Sequence, residues 1–422
     1  MKYLFFVLLL LVPIDKFEFG ASLLREFGVR PVNFVILSLF IYLVLTQKLV
    51  FPSSALSSVL LIVLGYILSS IIVVFTDIPE DMAFRSPIES WFVQSLVLAT
   101  SFVFYLTIYN VFFKNKPDIS IVFEMAPVVF AVHFIFFVID GLVAYNKLPS
   151  YVFDYSIGLF RTNMSERPSG LMSEPSYWGA LCAFIWPGLV YCFLKAARYK
   201  RWLLLVLIAT SLFSPFIVNA KTFIGIIIIQ LLLLSFWLGS LRWTAVSLFL
   251  LLLVSSYTVY FSDFMDVEDN LSAAMRIGST LLATNVAVEH FPFGIGVGQL
   301  SFFYVDEFAP QFLFYSSEAN EYLSGAAESR ASAFNLFVRF FSELGIFGLI
   351  GALTLYSYPI YKIFITKPRS INNGLFLMTY IGAISFQLSQ DSFLYSPTIL
   401  FLPIAYYYYC RSSSLRGENG VG

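Results

Sequence analysis

The feature that most constrains this chain of 422 residues is a succession of apolar runs, each close to the length that crosses a bilayer. A transmembrane helix needs about 20 mostly apolar residues. Runs at or near that length lie at about 3–14, 31–46, 56–76, 91–113, 122–145, 176–194, 202–218, 222–241, 243–261, 333–361, 372–389 and 393–409. An all-α, polytopic integral membrane fold with about twelve transmembrane helices is therefore expected, because backbone groups in hydrocarbon must bond within their own segment. Composition agrees. The chain is 59% hydrophobic and 12% charged, against about 25% charged in soluble domains, and its mean hydropathy is +0.82. The first run is short enough for the core of a signal peptide, but no small-x-small cleavage pattern follows it, and it is read as an uncleaved helix. The pair at 202–241 is broken only by Asn219-Ala220-Lys221, so a hairpin is expected there.

Charge sets the expected orientation. Lys48, Lys114, Lys116, Lys195, Arg198, Lys200, Arg201, Arg242, Lys362, Lys367 and Arg369 all fall in alternate, short loops. The positive-inside rule puts those loops, and with them both termini, in the cytoplasm. The net charge of −1 gives no footprint for nucleic acid. With no internal repeat and no soluble domain, residues 1–422 read as a single transmembrane domain with two large extracytoplasmic loops, at about 146–175 and 262–332. The second loop carries acidic clusters and many aromatics, such as Phe302, Phe303 and Tyr304. Such content argues against disorder, and both loops are expected to fold back as short helices over the outer ends of the bundle.

The first loop holds Arg161, then Arg167-Pro168-Ser169-Gly170 and Glu174-Pro175-Ser176. Pro175 suits the first helical turn, where a missing N–H costs nothing. A helix N-terminus beside Arg167 is a ready anion site, and arginine adds a planar fork for phosphate oxygens. Glu174 is the acid–base candidate. The plainer alternatives are a helix cap for Glu174 and phospholipid contacts for the arginines.

In the second loop Arg276 opens an amphipathic stretch, Met275 to Val288, followed by Glu289-His290 and Pro292-Phe293-Gly294-Ile295-Gly296-Val297-Gly298. These glycines follow no expected strand and read as a tight turn that lets backbone meet backbone, not as a nucleotide loop. His290 fits a helix-end cap, with a base role as the alternative. Arg330 lies near the next helix, where Asn335, Arg339 and Glu343 share one face of an apolar segment. A charge at the bilayer centre costs at least about 2.5 kcal/mol, so this stripe faces a cavity or satisfies itself as a pair. His133 and Asp140 share a face in the fifth run and suit a proton path or a helix–helix hydrogen bond. Gln387, Gln390 and Asp391 read as interface residues, and Cys182, Cys192 and Cys410 as packing residues. No metal-ligand cluster, Ser-His-Asp order or paired carboxylate motif is present, so no metal or cofactor is expected.

Arg167-x-x-Gly170 with Glu174-Pro175-Ser176 resembles the first-loop motif of Wzy-type O-antigen and exopolysaccharide polymerases. Arg276, Pro292 to Gly298, Asn335-Leu336 and Glu343-Leu344-Gly345-Ile346-Phe347-Gly348 are similar to the second half of the wider polymerase–ligase superfamily. The resemblance covers roughly 160–350. It implies a GT-C-like layout and an inverting, metal-independent glycosyltransferase of the bacterial inner membrane. Its donor and acceptor would be undecaprenyl-diphosphate-linked glycans, with a chain-length regulator or flippase as partners left open. Ligases that pass glycan to lipid A core typically carry His-Asn where this chain has Phe334-Asn335, which favours a polymerase. Breaking a sugar–diphosphate bond calls for cationic donors on the leaving oxygen. Arg167 and Arg276 are assigned that role, Glu174 that of base with His290 in reserve, and Arg161, Arg330, Arg339 and Asn335 the lining of the cavity. The competing readings are an O-antigen ligase and a lipid-linked oligosaccharide flippase or other transporter. Transporters commonly show repeated halves, which are not visible here.

Overall fold

The computed structural model describes residues 1–14, 30–46, 49–75, 86–157, 167–172, 174–218, 220–239, 271–303, 333–366 and 369–410. Among these residues all regular structure is helical. The helices are α1 (Lys2–Leu11), α2 (Pro31–Thr46), α3 (Leu56–Phe75), α4 (Pro87–Asn115), α5 (Ile121–Glu124), α6 (Ala126–Ala144) and α7 (Ser150–Ser156). They continue with α8 (Pro175–Lys195), α9 (Arg198–Ile217), α10 (Lys221–Trp237), α11 (Leu271–Glu289), α12 (Leu336–Thr366), α13 (Ile371–Ser385) and α14 (Ser396–Ala405). Six stretches, at Ser53–Val74, Pro87–Asn115, Ile121–Ala144, Pro175–Lys195, Arg198–Ile217 and Leu336–Ile365, are long and apolar enough to cross a membrane. Shorter apolar helices occupy the expected runs near 3–14, 31–46 and 222–241, and the run at 243–261 lies outside the described residues. The described residues are all-helical, and their six long apolar helices fit a polytopic membrane protein.

Local chemistry explains where several helices begin. The Ser86 hydroxyl accepts from the Glu89 N–H and Glu89 answers through the Ser86 N–H, a capping box with Pro87 at the first helical position. Together they satisfy two of the four backbone donors that a helix start leaves open. Pro175 likewise takes the first helical position of α8, there without a side-chain cap.

Burial separates centre from rim. In α8, 72% of the most apolar stretch is buried; in α3 only 22% is. The exposed side of α3 is one stripe, Leu60, Leu64, Ile67, Ile71 and Val74, at the helical spacing of a single face. That face suits lipid. Its opposite face lies along α12, its most extensive neighbour, through small residues. A Cβ on Gly65 would come within 2.6 Å of the Leu344 carbonyl oxygen. Where lipid tails are as apolar as side chains, such backbone approach is what drives helices together.

α12 departs from a single straight helix. Gly345 has φ 65° and ψ −163°, a break inside the element. The residues after it, 346–366, rise about 31 Å, close to the roughly 30 Å of hydrocarbon core. Those before it, 336–344, add about 14 Å. The freed backbone is taken up by the glycine turn. Ile295 N–H donates to the Ser342 carbonyl (2.9 Å), Gly296 N–H to the Glu343 carbonyl (2.9 Å), and Ile346 N–H to the Pro292 carbonyl (3.0 Å). A Cβ on Gly345 would lie 2.1 Å from the Pro292 oxygen, so no larger residue fits. The glycine run is thus a backbone-on-backbone joint. Thr280 bonds the Ala333 carbonyl while Pro292 meets Ile346, so α11 runs alongside the first part of α12.

Candidate functional site

One end of the bundle gathers the starts of α2, α4, α8 and α12, the ends of α6 and α9, and the connection between α13 and α14. Hydrogen bonds join these pieces. Gln390 donates to the Tyr177 hydroxyl, linking the α13–α14 connection to α8. Asp391 Oδ2 accepts the Ala333 N–H at 2.9 Å, linking it to α12. Gln390 and Asp391 therefore act at an interface.

The Arg167 turn is held from beneath. Asp140, buried near the end of α6, accepts the N–H of Ser169 at 2.6 Å and of Gly170 at 2.9 Å through Oδ2. Hydrogen bonds from N–H to a carboxylate are about twice as strong as neutral ones. The Ser169 hydroxyl closes the turn on the Met172 carbonyl at 2.9 Å. Gly170 sits at φ 65°, and a Cβ there would lie 3.1 Å from the Phe137 nitrogen. The motif needs glycine because the turn lies directly on α6. Above it Arg167 is exposed, with Nη1 3.5 Å from the Val218 carbonyl at the end of α9. Glu174 occupies the N-cap position of α8, yet its side chain makes no capping bond. It is exposed, and Oε2 accepts from the Ser176 hydroxyl at 3.0 Å. The start of α8 thus has no side-chain cap, and an uncapped helix start favours anions.

The α12 start forms a second constellation. Asn335 caps it: Oδ1 accepts the N–H groups of Phe337 (3.0 Å) and Val338 (3.2 Å). Phe334, at φ 50°, presents its ring 5.5 Å from the Arg276 guanidinium carbon. Among the described residues Arg276 makes no hydrogen bond or ion pair, and it is half-buried. One helical turn deeper, Arg339 is 1% exposed and held on every side. Its Nε donates to Glu343 Oε2 (2.9 Å), Nη1 to the Asp391 carbonyl (2.8 Å) and Nη2 to Gln94 Oε1 (2.9 Å), with the Phe393 ring centre 3.8 Å from Cζ. A substrate reaching this guanidinium would have to displace protein. The arrangement is that of an internal pair.

His290 sits just beyond α11, about 21 Å along that helix from Arg276. Its Nδ1 lies 3.0 Å from the Val286 carbonyl and its ring 5.3 Å from that of Phe303. A carbonyl only accepts, so Nδ1 carries the proton and Nε2 is the basic nitrogen of the neutral ring. His133 and Asp140 do not meet: the histidine ring bonds the Leu10 carbonyl at 2.9 Å, joining α6 to α1. Arg161 and Arg330 lie outside the described residues.

Sequence reading named Asp140 and Asp391 at this end but not their partners, and it missed Gln94. Asp140 stood out, but its partners, the backbone of Ser169 and Gly170, carry no sequence signal. Gln94 and the Asp391 carbonyl hold Arg339 from distant segments; only the rarity of a glutamine inside the apolar run of α4 points to it. No family model matches the chain, and no curated protein shows significant similarity to it.

Proposed function

We propose that this protein is a metal-independent glycosyltransferase that polymerises undecaprenyl-diphosphate-linked repeat units at the outer face of a bacterial inner membrane, with about twelve crossings and both termini cytoplasmic. The observation that carries the reading is the Arg167–Gly170 turn, clamped by the buried Asp140 carboxylate and presenting an exposed arginine ahead of Glu174 and the start of α8, while Arg276 lies half-buried against Phe334 at the start of α12. In the proposed reaction Arg167 and Arg276 neutralise the diphosphate of the donor, and Glu174 takes the proton of an acceptor sugar hydroxyl. That oxygen bonds to the anomeric carbon with inversion, while the bond to the diphosphate oxygen breaks and the lipid diphosphate leaves with the electron pair. Donors aimed at the charge developing on the leaving oxygen are worth about 2.7–4 kcal/mol each in comparable sites.

Phe334 bears no proton-accepting group beside Asn335, which leaves Glu174, with His290 in reserve, to supply the base. Arg339 and Asn335 act in this reading by positioning the α12 start under Arg276. Arg161 and Arg330, outside the described residues, enter the reading as substrate-binding candidates from the sequence alone.

The test is gel analysis of surface glycan in a strain lacking the gene and complemented with wild type, Arg167→Ala or Arg276→Ala. Glycan reduced to a single repeat unit in the deletion, and unrestored by either normally expressed variant, is the expected outcome. Long polymer retained on the lipid carrier would mark a ligase instead, and a full ladder in every strain would end the proposal.

A further inference from the structure

Arg30, immediately before α2, was no part of the site read from sequence, and its surroundings are unlike those of any other arginine described here. It is 9% exposed. Nη1 donates to the Leu394 carbonyl and to the Ser392 hydroxyl (3.3 Å), and the guanidinium lies 5.8 Å from the Tyr395 ring centre. Among the described residues no carboxylate pairs with it, and Nε and Nη2 make no hydrogen bond. One edge of the guanidinium is therefore anchored, and the other, the Nε–Nη2 fork, is open. That fork matches two oxygens of one oxyanion.

The same place holds a second unfilled group. A small cleft is lined by Arg30, Tyr177, Tyr395, Ser396 and Pro397 among others. Ser396 is 2% exposed, and its hydroxyl has no hydrogen-bond partner. A buried hydroxyl left unsatisfied is unfavourable, so such a group calls for a partner that arrives from outside. Ser396 and Pro397 also open α14, whose positive dipole end lies there. A cation with an open fork, an unpartnered donor and a helix start all bordering one cleft select for negative charge. The cleft is too small for a sugar and suits one or two oxygens of a group seated at its mouth.

We propose that Arg30, Ser396 and the first turn of α14 form an oxyanion site for a phosphate group, carried by a lipid headgroup or free in solution. Neither Arg167 nor Arg276 lines this cleft, and the proposal does not depend on the polymerase reading. The experiment uses the full chain reconstituted in phosphatidylcholine vesicles, as wild type, Ser396→Ala and Arg30→Lys. The melting temperature is followed as inorganic phosphate is added or as phosphatidylglycerol replaces phosphatidylcholine.

Wild type should show a saturable rise. Arg30→Lys keeps the charge but loses the fork, and should need about tenfold more anion. Ser396→Ala removes a hydroxyl without a partner, so without anion it should melt no lower than wild type, yet it should need several-fold more anion. A response to inorganic phosphate identifies a soluble oxyanion; a response only to phosphatidylglycerol identifies a headgroup. Either supports the site. No response to either probe overturns it, as does an equal rise in all three proteins, which is the general effect of an excluded salt.

Discussion

Arg339 and Arg167 are both arginines in apolar surroundings at the same end of the bundle, and the protein treats them oppositely. Arg339 is enclosed, with partners from α4, α12 and the α13–α14 connection and an aromatic face against it. Arg167 is exposed on a turn whose backbone, rather than its side chain, is gripped by Asp140. In the first region the charge organises the fold. In the second the fold organises the charge. The difference teaches that an arginine in a hydrophobic sequence announces a charge to be managed, and only its partners say whether protein or ligand manages it.

The most severe way to break the comparison is to remove one member of the buried pair. Arg339→Ala, or Glu343→Ala, leaves an uncompensated charge and should cost about 3–5 kcal/mol. Thermal denaturation in detergent would show it, and the double variant Arg339→Met/Glu343→Leu should recover most of the loss. If either single variant were as stable as wild type, Arg339 would not be the structural member of the comparison. A smaller effect is expected at the clamp. Asp140→Leu forfeits two bonds to a carboxylate and should cost about 3 kcal/mol, while Asp140→Asn keeps an acceptor oxygen and should lose less than half of that. Both should slow glycan polymerisation in the same order, since the turn that carries Arg167 is released. Smallest of all, Arg167→Ala should change stability by no more than about 0.5 kcal/mol while abolishing polymerisation. A stability loss as large as that of Arg339→Ala would erase the distinction between the two regions.

How much of this was legible in advance follows from how local each feature is. The helix start at Pro175, the amphipathic α11 and the glycine turn that meets other backbone could be read from neighbouring residues. The interruption at Gly345 could not, because an apolar run through Leu344-Gly345-Ile346 looks continuous until the Pro292–Gly296 backbone is laid against it. The Arg339–Glu343 pair was visible at its helical spacing, but not the bonds to Gln94 and Asp391 that complete it. Arg30 carries no local signal, since its anchors, Ser392 and Leu394, come from the far end of the chain.

By itself the sequence determined that this is a helical membrane protein, where its apolar segments lie, and that its arginines and acidic groups crowd into a few places. Those properties come from transfer free energies and caps that act within a helix or a turn. The tertiary structure alone decided which charges are enclosed by the fold and which are presented at its surface. The reason is distance along the chain: the partners that decide it are separated by 29 residues at Ser169 and Asp140, by 52 at Arg339 and Asp391, and by 245 at Arg339 and Gln94. Only packing brings such groups within hydrogen-bond reach, and only there does burial raise the energy of leaving them unpaired.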